Sequence, residues 1–206
     1  MAEQVFPTKG NLINVKKSLT LSKLGYELMD RKRNILIREM MLLVDTAKEI
    51  RDSIEDKYKE AYTALQDANI TLGVIDKFAK GVPVEEGISV SYRSVMGVEL
   101  PKIVFKKNPL KISYGFYDTN SKLDNAFICF NRAKEMTVVL AEIENSIYRL
   151  AHAIKKTQKR ANALKNILIP KFDGLAKYIT NSLEEKEREE FSRLKVIKLT
   201  KIKASS

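Results

Sequence analysis

Residues 155–195 read KKTQKRANALKNILIPKFDGLAKYITNSLEEKEREEFSRLK. Apolar residues recur through this stretch at alternating spacings of three and four, with charges filling the intervening positions, which is the pattern of an amphipathic helix. Counted in sevens, one seam position (a) takes Ala126, Ala133, Leu140, Ile147, Ile154, Ala161, Leu168, Leu175 and Ser182. The other (d) takes Cys129, Met136, Ile143, Leu150, Thr157, Leu164, Lys171 and Tyr178. Only Thr157, Lys171 and Ser182 break the apolar run. Pro170 lies inside it, lacks an N–H and crowds the preceding turn, so a bend is expected there.

The same heptad fills the N-terminal third of the chain. Position a collects Leu12, Leu19, Tyr26, Arg33, Met40, Ala47, Ile54, Ala61, Ala68 and Ile75; position d collects Val15, Ser22, Met29, Leu36, Leu43, Ile50, Lys57 and Ala64. No proline falls between Pro7 and Pro83. A repeat sustained this long marks a coiled coil, and the spacing predicts a first helix over about residues 10–76, roughly 100 Å long at 1.5 Å per residue. Between the helices, Gly81, Pro83, Gly87, Gly97, Pro101, Pro109 and Gly115 interrupt the pattern. Here Ile88–Tyr92 alternates with period two, while residues 95–98 and 103–105 are β-prone, which predicts a ribbon of two or three short strands. Residues 113–117 lead towards the second helix, with Thr119 or Ser121 as its N-cap.

The expected fold is therefore mainly α. A long antiparallel two-helix coiled coil carries a small β-hairpin or ribbon insert, divided as 1–80, 81–118 and 119–206. Neither apolar stripe can be buried alone, and the alanines along the seam let the backbones approach closely, making the pair slim.

Composition narrows the chemistry. The 206 residues carry 31% charged and 8% aromatic side chains, no Trp and a net charge of +11. One cysteine, Cys129, permits no internal disulfide, and with one histidine, His152, there is no Cys/His metal cluster. Cys129 reads as a small seam residue, and His152 has no catalytic partner nearby in sequence. No phosphate-binding loop or dinucleotide turn occurs, so no catalytic, cofactor-binding or metal-binding residue is assigned. No apolar run reaches the ~20 residues of a membrane span.

The charges are unevenly spread. Chain reversal near residues 77–118 brings Arg31, Lys32, Arg33 and Arg38 beside Lys155, Lys156, Lys159, Arg160 and Lys165, two acid-free runs that form a basic collar. The acidic run 184–190 falls opposite Lys9, Lys16 and Lys17. Beyond Phe191, Arg193, Lys195, Lys198, Lys201 and Lys203 form a basic tip. Charges like these also serve simply as the solvated face of a coiled coil.

At these residues the chain resembles the D-subunit of the V-type and A-type rotary ATPases. Pro7-Thr8-Lys9, Leu12, Leu19, Gly25 and Lys32-Arg33 look like the family's opening helix. Tyr114, Gly115, Phe116 and Tyr117, followed by Asn120, Leu123 and Asp124, are similar to its re-entry into the second helix. Most specific is the ordered series of the basic run 155–160, Asn162-Ala163-Leu164, Ile169-Pro170, Tyr178-Ile179, Leu183-Glu184-Glu185, Glu187-Arg188 and Arg193-Leu194. Ala161 and Lys165 depart from the commoner Val and Glu around Asn-Ala-Leu.

The resemblance implies a non-catalytic central rotor shaft whose paired termini enter a hexamer of catalytic A and non-catalytic B subunits. It also implies contacts with a small stalk protein, the F-subunit, and with a funnel-shaped C/d-type subunit above the membrane ring. ATP turnover on the partners is coupled to H⁺ or Na⁺ movement. The protein is expected to be cytoplasmic, peripheral to the membrane and without direct membrane insertion, and its short length looks bacterial or archaeal. The collar, together with Arg193, Lys195 and Lys198, is then expected to meet acidic loops lining the hexamer. Two other readings remain: a basic coiled-coil arm binding nucleic acid, which needs phosphate contacts and stacking aromatics, and a passive scaffold.

Overall fold

A computed structural model describes residues 6–82, 87–105, 114, 115, 117 and 119–204. The elements in order are helix α1 (Lys9–Leu72), a single turn α2 (Asp76–Ala79), strands β1 (Ile88–Val95) and β2 (Val98–Phe105), helix α3 (Ser121–Ala163), a π-helical turn (Leu164–Leu168) and helix α4 (Ile169–Ala204). Two long helical stretches thus bracket a two-stranded antiparallel sheet, as the heptads and the period-two segment require. The chain divides into two compact units: residues 1–33 with 156–206, and residues 34–155.

In the unit formed by residues 34–155, α1 and α3 meet along the expected seam. Ile54, Ala61, Ala64 and Ala68 of α1 are buried, as are Leu123, Ala126, Cys129, Ala133, Ile143 and Leu150 of α3. Pairs between the helices follow the antiparallel register. Arg51 lies 2.7 Å from Glu144, Tyr58 Oη is 3.0 Å from Thr137 Oγ1, and Asn120 Nδ2 donates to Thr71 Oγ1 at 2.9 Å. Helix α1 stops at Leu72, short of residue 76, because Gly73 turns left-handed (φ 74°) while its N–H still closes on Asn69 O. The N-cap of α3 is Asn120 rather than Thr119 or Ser121. Its Oδ1 accepts from the N–H groups of Lys122 and Leu123, satisfying donors that no earlier turn can serve.

The insert holds two strands of eight residues, longer than the sequence pattern suggested. They pair from Ile88↔Phe105 to Val95↔Val98. Met96 and Gly97, expected to be β-prone, instead make the two-residue turn with φ of 51° and 74°, the left-handed pair that matches strand twist. The hairpin is fastened by Leu100, which is fully buried with Leu36 and Leu150 among Met40, Leu43, Val95, Val98, Ala153 and Ile154. Helix α3 also satisfies the outer edge of β2. The Ile103 N–H donates to Glu142 Oε2 at 2.8 Å, and Arg149 donates to Glu99 O at 3.1 Å. Residues 83–86, 106–113, 116 and 118, which include Pro83, Pro109, Ser113 and Phe116 of the sequence expectations, lie outside the described residues.

In the other unit, Thr8 caps α1 by accepting the Asn11 N–H on Oγ1 at 3.2 Å. Lys9 reaches Glu187 at 3.1 Å, the pairing anticipated between the lysine-bearing start and the acidic run. The seam holds through Thr157, Ala161 and Leu164, and then departs from the expected frame. Leu168, Lys171 and Tyr178 are exposed, whereas Ala176 and Ile179 are buried and Ile169, Phe172 and Leu183 are half-buried; Leu175 and Ser182 of the expected frame stay half-buried beside them. The inward series has moved by one residue. The physical reason is the π turn: the Ile169 N–H bonds Leu164 O, five residues back rather than four, and so admits one extra residue. Pro170 sits just beyond, where the wider turn spares its ring the clash with an α-helical carbonyl.

Candidate functional site

The sequence-derived candidates are helix-borne cations. In the unit of residues 1–33 and 156–206, Lys156, Lys159, Arg160 and Lys165 are exposed, as is Arg31, while Lys32 and Arg33 are half-buried. Helical spacing sets their aspect. With Thr157 and Ala161 turned into the seam, Lys156 and Arg160, one turn apart, flank it, and Lys159 faces away. The Lys165 ammonium stands 5.7 Å from the centroid of the Tyr26 ring, a cation–π contact that ties the charge to α1.

Arg33 behaves differently from its neighbours. It occupies a seam position, where its Nη2 lies 2.6 Å from Asp30 Oδ1 and its Nη1 donates to Gln158 Oε1 at 2.8 Å. Gln158 Nε2 in turn donates to Asn162 Oδ1 at 2.7 Å. Sequence reasoning did not single out Asp30 or Gln158, and named Asn162 only within the Asn-Ala-Leu motif of the family resemblance. The available signal was an arginine at position a, which needs a polar partner one turn away or across the seam. The chain of hydrogen bonds turns a charge that would disfavour the seam into a lock on helix register.

Arg38 and Lys155 belong to the other unit, and both are exposed. At the far end of α4, Arg193, Lys195 and Lys198 are exposed along with every described residue from Glu184 to Lys201. Arg193 has Glu189 at 3.7 Å one turn earlier, and Glu184 lies 3.9 Å from Arg188; pairs this exposed add little stability. Phe191, Leu194, Val196, Ile197 and Leu199 are at least half exposed between these cations. Upstream, Lys177 hydrogen-bonds Asp173 and holds its carboxyl below the usual carboxylate range, aided by the charge of Lys23.

The two residues considered for chemistry are structural or peripheral. Cys129 is buried on the seam with its thiol 3.9 Å from Asn125 Oδ1, and His152 is exposed. Among the described residues no group of His, Cys, Asp and Glu is arranged to hold a metal ion, and no helix is long and apolar enough to cross a membrane. A shallow apolar pocket of about 300 Å³ lies between Leu65, Ile75, Phe78, Leu123, Phe127 and Phe130. It offers no polar side chain suited to acid–base or nucleophilic chemistry beyond the Tyr114 phenol at its rim.

Long paired helices, a short hairpin pinned to them and cations on the outer faces define a helical coiled-coil protein with a hairpin insert. Within that class, residues 11–199 match the family model for the D-subunit of ATP synthase, and the chain belongs to that family. It is 44% identical over 196 residues to the D-subunit of the V-type ATP synthase of Thermotoga neapolitana, covering 94% of this chain and 97% of the relative. The D-subunit of the A-type ATP synthase of Methanopyrus kandleri is 38% identical, with 95% and 86% covered. That of Thermococcus kodakarensis is 36% identical, with 96% of each covered.

Proposed function

We propose that the chain is the central stalk of a V/A-type ATP synthase or ATPase, a non-catalytic shaft that carries torque between a nucleotide-hydrolysing hexamer and an ion-translocating membrane ring. The observation that carries the reading is membership of the D-subunit family over residues 11–199 on a frame of long paired helices. In this reading the chain works in the cytoplasmic, membrane-peripheral sector. Its partners are the catalytic A and non-catalytic B subunits, the small F-subunit of the stalk and a funnel-shaped C/d-type subunit, and ATP turnover on the partners moves H⁺ or Na⁺. A pair of unlike helices is asymmetric about its axis, so its rotation presents different faces in turn to the surrounding catalytic sites.

Within the hexamer the exposed cations Arg31, Arg38, Lys155, Lys156, Lys159, Arg160 and Lys165, and the tip residues Arg193, Lys195 and Lys198, meet acidic loops. Lys32 lends charge beside them, and Arg33 serves the seam. Reversing Lys156, Lys159 and Arg160 together to Glu is expected to weaken assembly or torque while leaving helicity intact, because none of the three is buried. Full rotation and coupling in the reassembled triple variant would refute the contact. A nucleic-acid arm is disfavoured because the D-subunit family match over residues 11–199 carries the shaft reading.

A further inference from the structure

The π turn at Leu164–Leu168 interrupts a helix whose inward pattern does not need it. Before the turn the inward series is Thr157, Ala161 and Leu164; after it the buried Ala176 and Ile179 set a series with the half-buried Ile169, Phe172 and Leu183, flanked by the half-buried Leu175 and Ser182. Each series keeps the three-four spacing of a heptad, and the two are offset by a single residue. Without one residue of the turn, Leu164 and Ile169 would stand four apart and the seam would run through in one frame. The extra residue therefore adds nothing to the buried face. Lys165, Asn166, Ile167 and Leu168 are all exposed, and the turn contains no buried residue.

The turn is costly in helical terms. Its backbone bonds reach five residues back, with poorer geometry than the α pattern. Pro170 supplies no N–H to the carbonyls of the turn, so the hydrogen-bond ladder is thinnest where the seam is also changing frame. The heptad on either side is held by packing against α1: Thr157 and Ala161, with the Arg33–Gln158 hydrogen bond, before the turn, and Ala176 and Ile179 after it. At the turn itself α1 is met by the Lys165 ammonium, 5.7 Å from the Tyr26 ring centroid, and by Leu164 beside Gly25, which has no side chain to interlock with it.

We propose that this turn is a compliant joint built into the helix: a one-residue insertion, retained between two well-packed heptad segments, at which the helix beyond Ile169 twists and bends against the segment before it. The joint is a property of the insertion. Pro170 accommodates it and does not create it, because the burial of Ala176 and Ile179 fixes the shifted frame whether or not a proline follows.

The test is hydrogen exchange resolved by residue on the full chain in three forms: the parent, Pro170→Ala, and Pro170→Ala with Asn166 deleted. In the parent, the amides of residues 165–169 exchange about tenfold or more faster than those of the flanking turns. Pro170→Ala retains that difference. Deleting Asn166 in the same background abolishes it, and the thermal midpoint does not fall below that of Pro170→Ala, since the seam becomes one continuous heptad. Three results would overturn the proposal: protection in the parent already equal to that of the flanks, a soft turn that disappears with Pro170→Ala alone, or a deletion variant that unfolds at lower temperature.

Discussion

Replacing Leu100 with Ala separates the hairpin's anchor from its decoration. Leu100 is fully buried with Leu36 and Leu150, and Val95 and Val98 from its own hairpin pack beside it. The substitution removes three carbons from a dry site, about 2.4 kcal/mol at roughly 0.8 kcal/mol per buried methylene. A cavity contribution is added, kept small because a two-stranded hairpin can settle inward, so the expected total is about 3 kcal/mol, in the lower part of the known range for Leu→Ala in cores. By contrast, Arg93→Ala breaks a 3.1 Å pair with Glu39 whose arginine side chain is half exposed, worth under about 1 kcal/mol. Urea titration of the full chain followed by helical signal gives both numbers, and hydrogen exchange locates the loss in residues 95–105 and around Leu36 and Leu150. A loss below about 1 kcal/mol for Leu100→Ala, or one no larger than for Arg93→Ala, would refute the claim that apolar burial docks the hairpin.

Gly25→Ala is expected to stabilise the protein by about 0.5–1 kcal/mol, read from the urea midpoint, because the added methyl meets Leu164 Cδ1 at an ordinary 3.8 Å while helix propensity improves. Asn120→Ala removes the acceptor for two N–H groups of α3 and the donor to Thr71. A loss of about 1–2 kcal/mol is expected, with Asn120→Ser recovering part of it. Burial and the 2.6 Å hydrogen bond to Asp124 push the Tyr114 phenol up to about 12. The native state therefore holds this proton more tightly than the unfolded chain. The resulting stability is complete below about pH 10 and declines as pH rises towards 12. Comparing parent with Tyr114→Phe over that window should show the parent's advantage shrinking by about 1 kcal/mol after allowance for solvent screening; a flat difference would refute it.

Most of the helical frame can be read in the sequence because burial on a coiled coil is periodic. Every a and d position assigned in α1 is buried or half-buried, down to the awkward Arg33 and Lys57. The misread frame beyond Leu168 was also signalled: it placed Lys171 inward while Phe172 and Ile179 waited one residue further on. Counting across Pro170 without allowing an insertion hid the change. The cap at Asn120 stands among three cap-competent neighbours, and only the direction in which the chain enters the helix selects one. The hairpin turn was obscured because Met96 is an unusual choice for a left-handed position. The cations could be placed on faces, but the diversion of Arg33 into Asp30 and Gln158 depends on side-chain reach across the seam, which periodicity does not encode.

The alanines of the unit formed by residues 34–155 have a mechanical consequence. Ala61, Ala64 and Ala68 on α1, with Ala126 and Ala133 on α3, present nearly smooth surfaces. Large interdigitated side chains resist axial sliding by corrugation; alanines offer little of it. Axial position in this unit is thus pinned by Leu36, Leu100 and Leu150 at one end, by the Arg51–Glu144 and Tyr58–Thr137 pairs along the way and by the Asn120–Thr71 hydrogen bond at the other end. The alanines themselves add little resistance, so register there is kept by discrete polar and aromatic fastenings on an otherwise smooth contact.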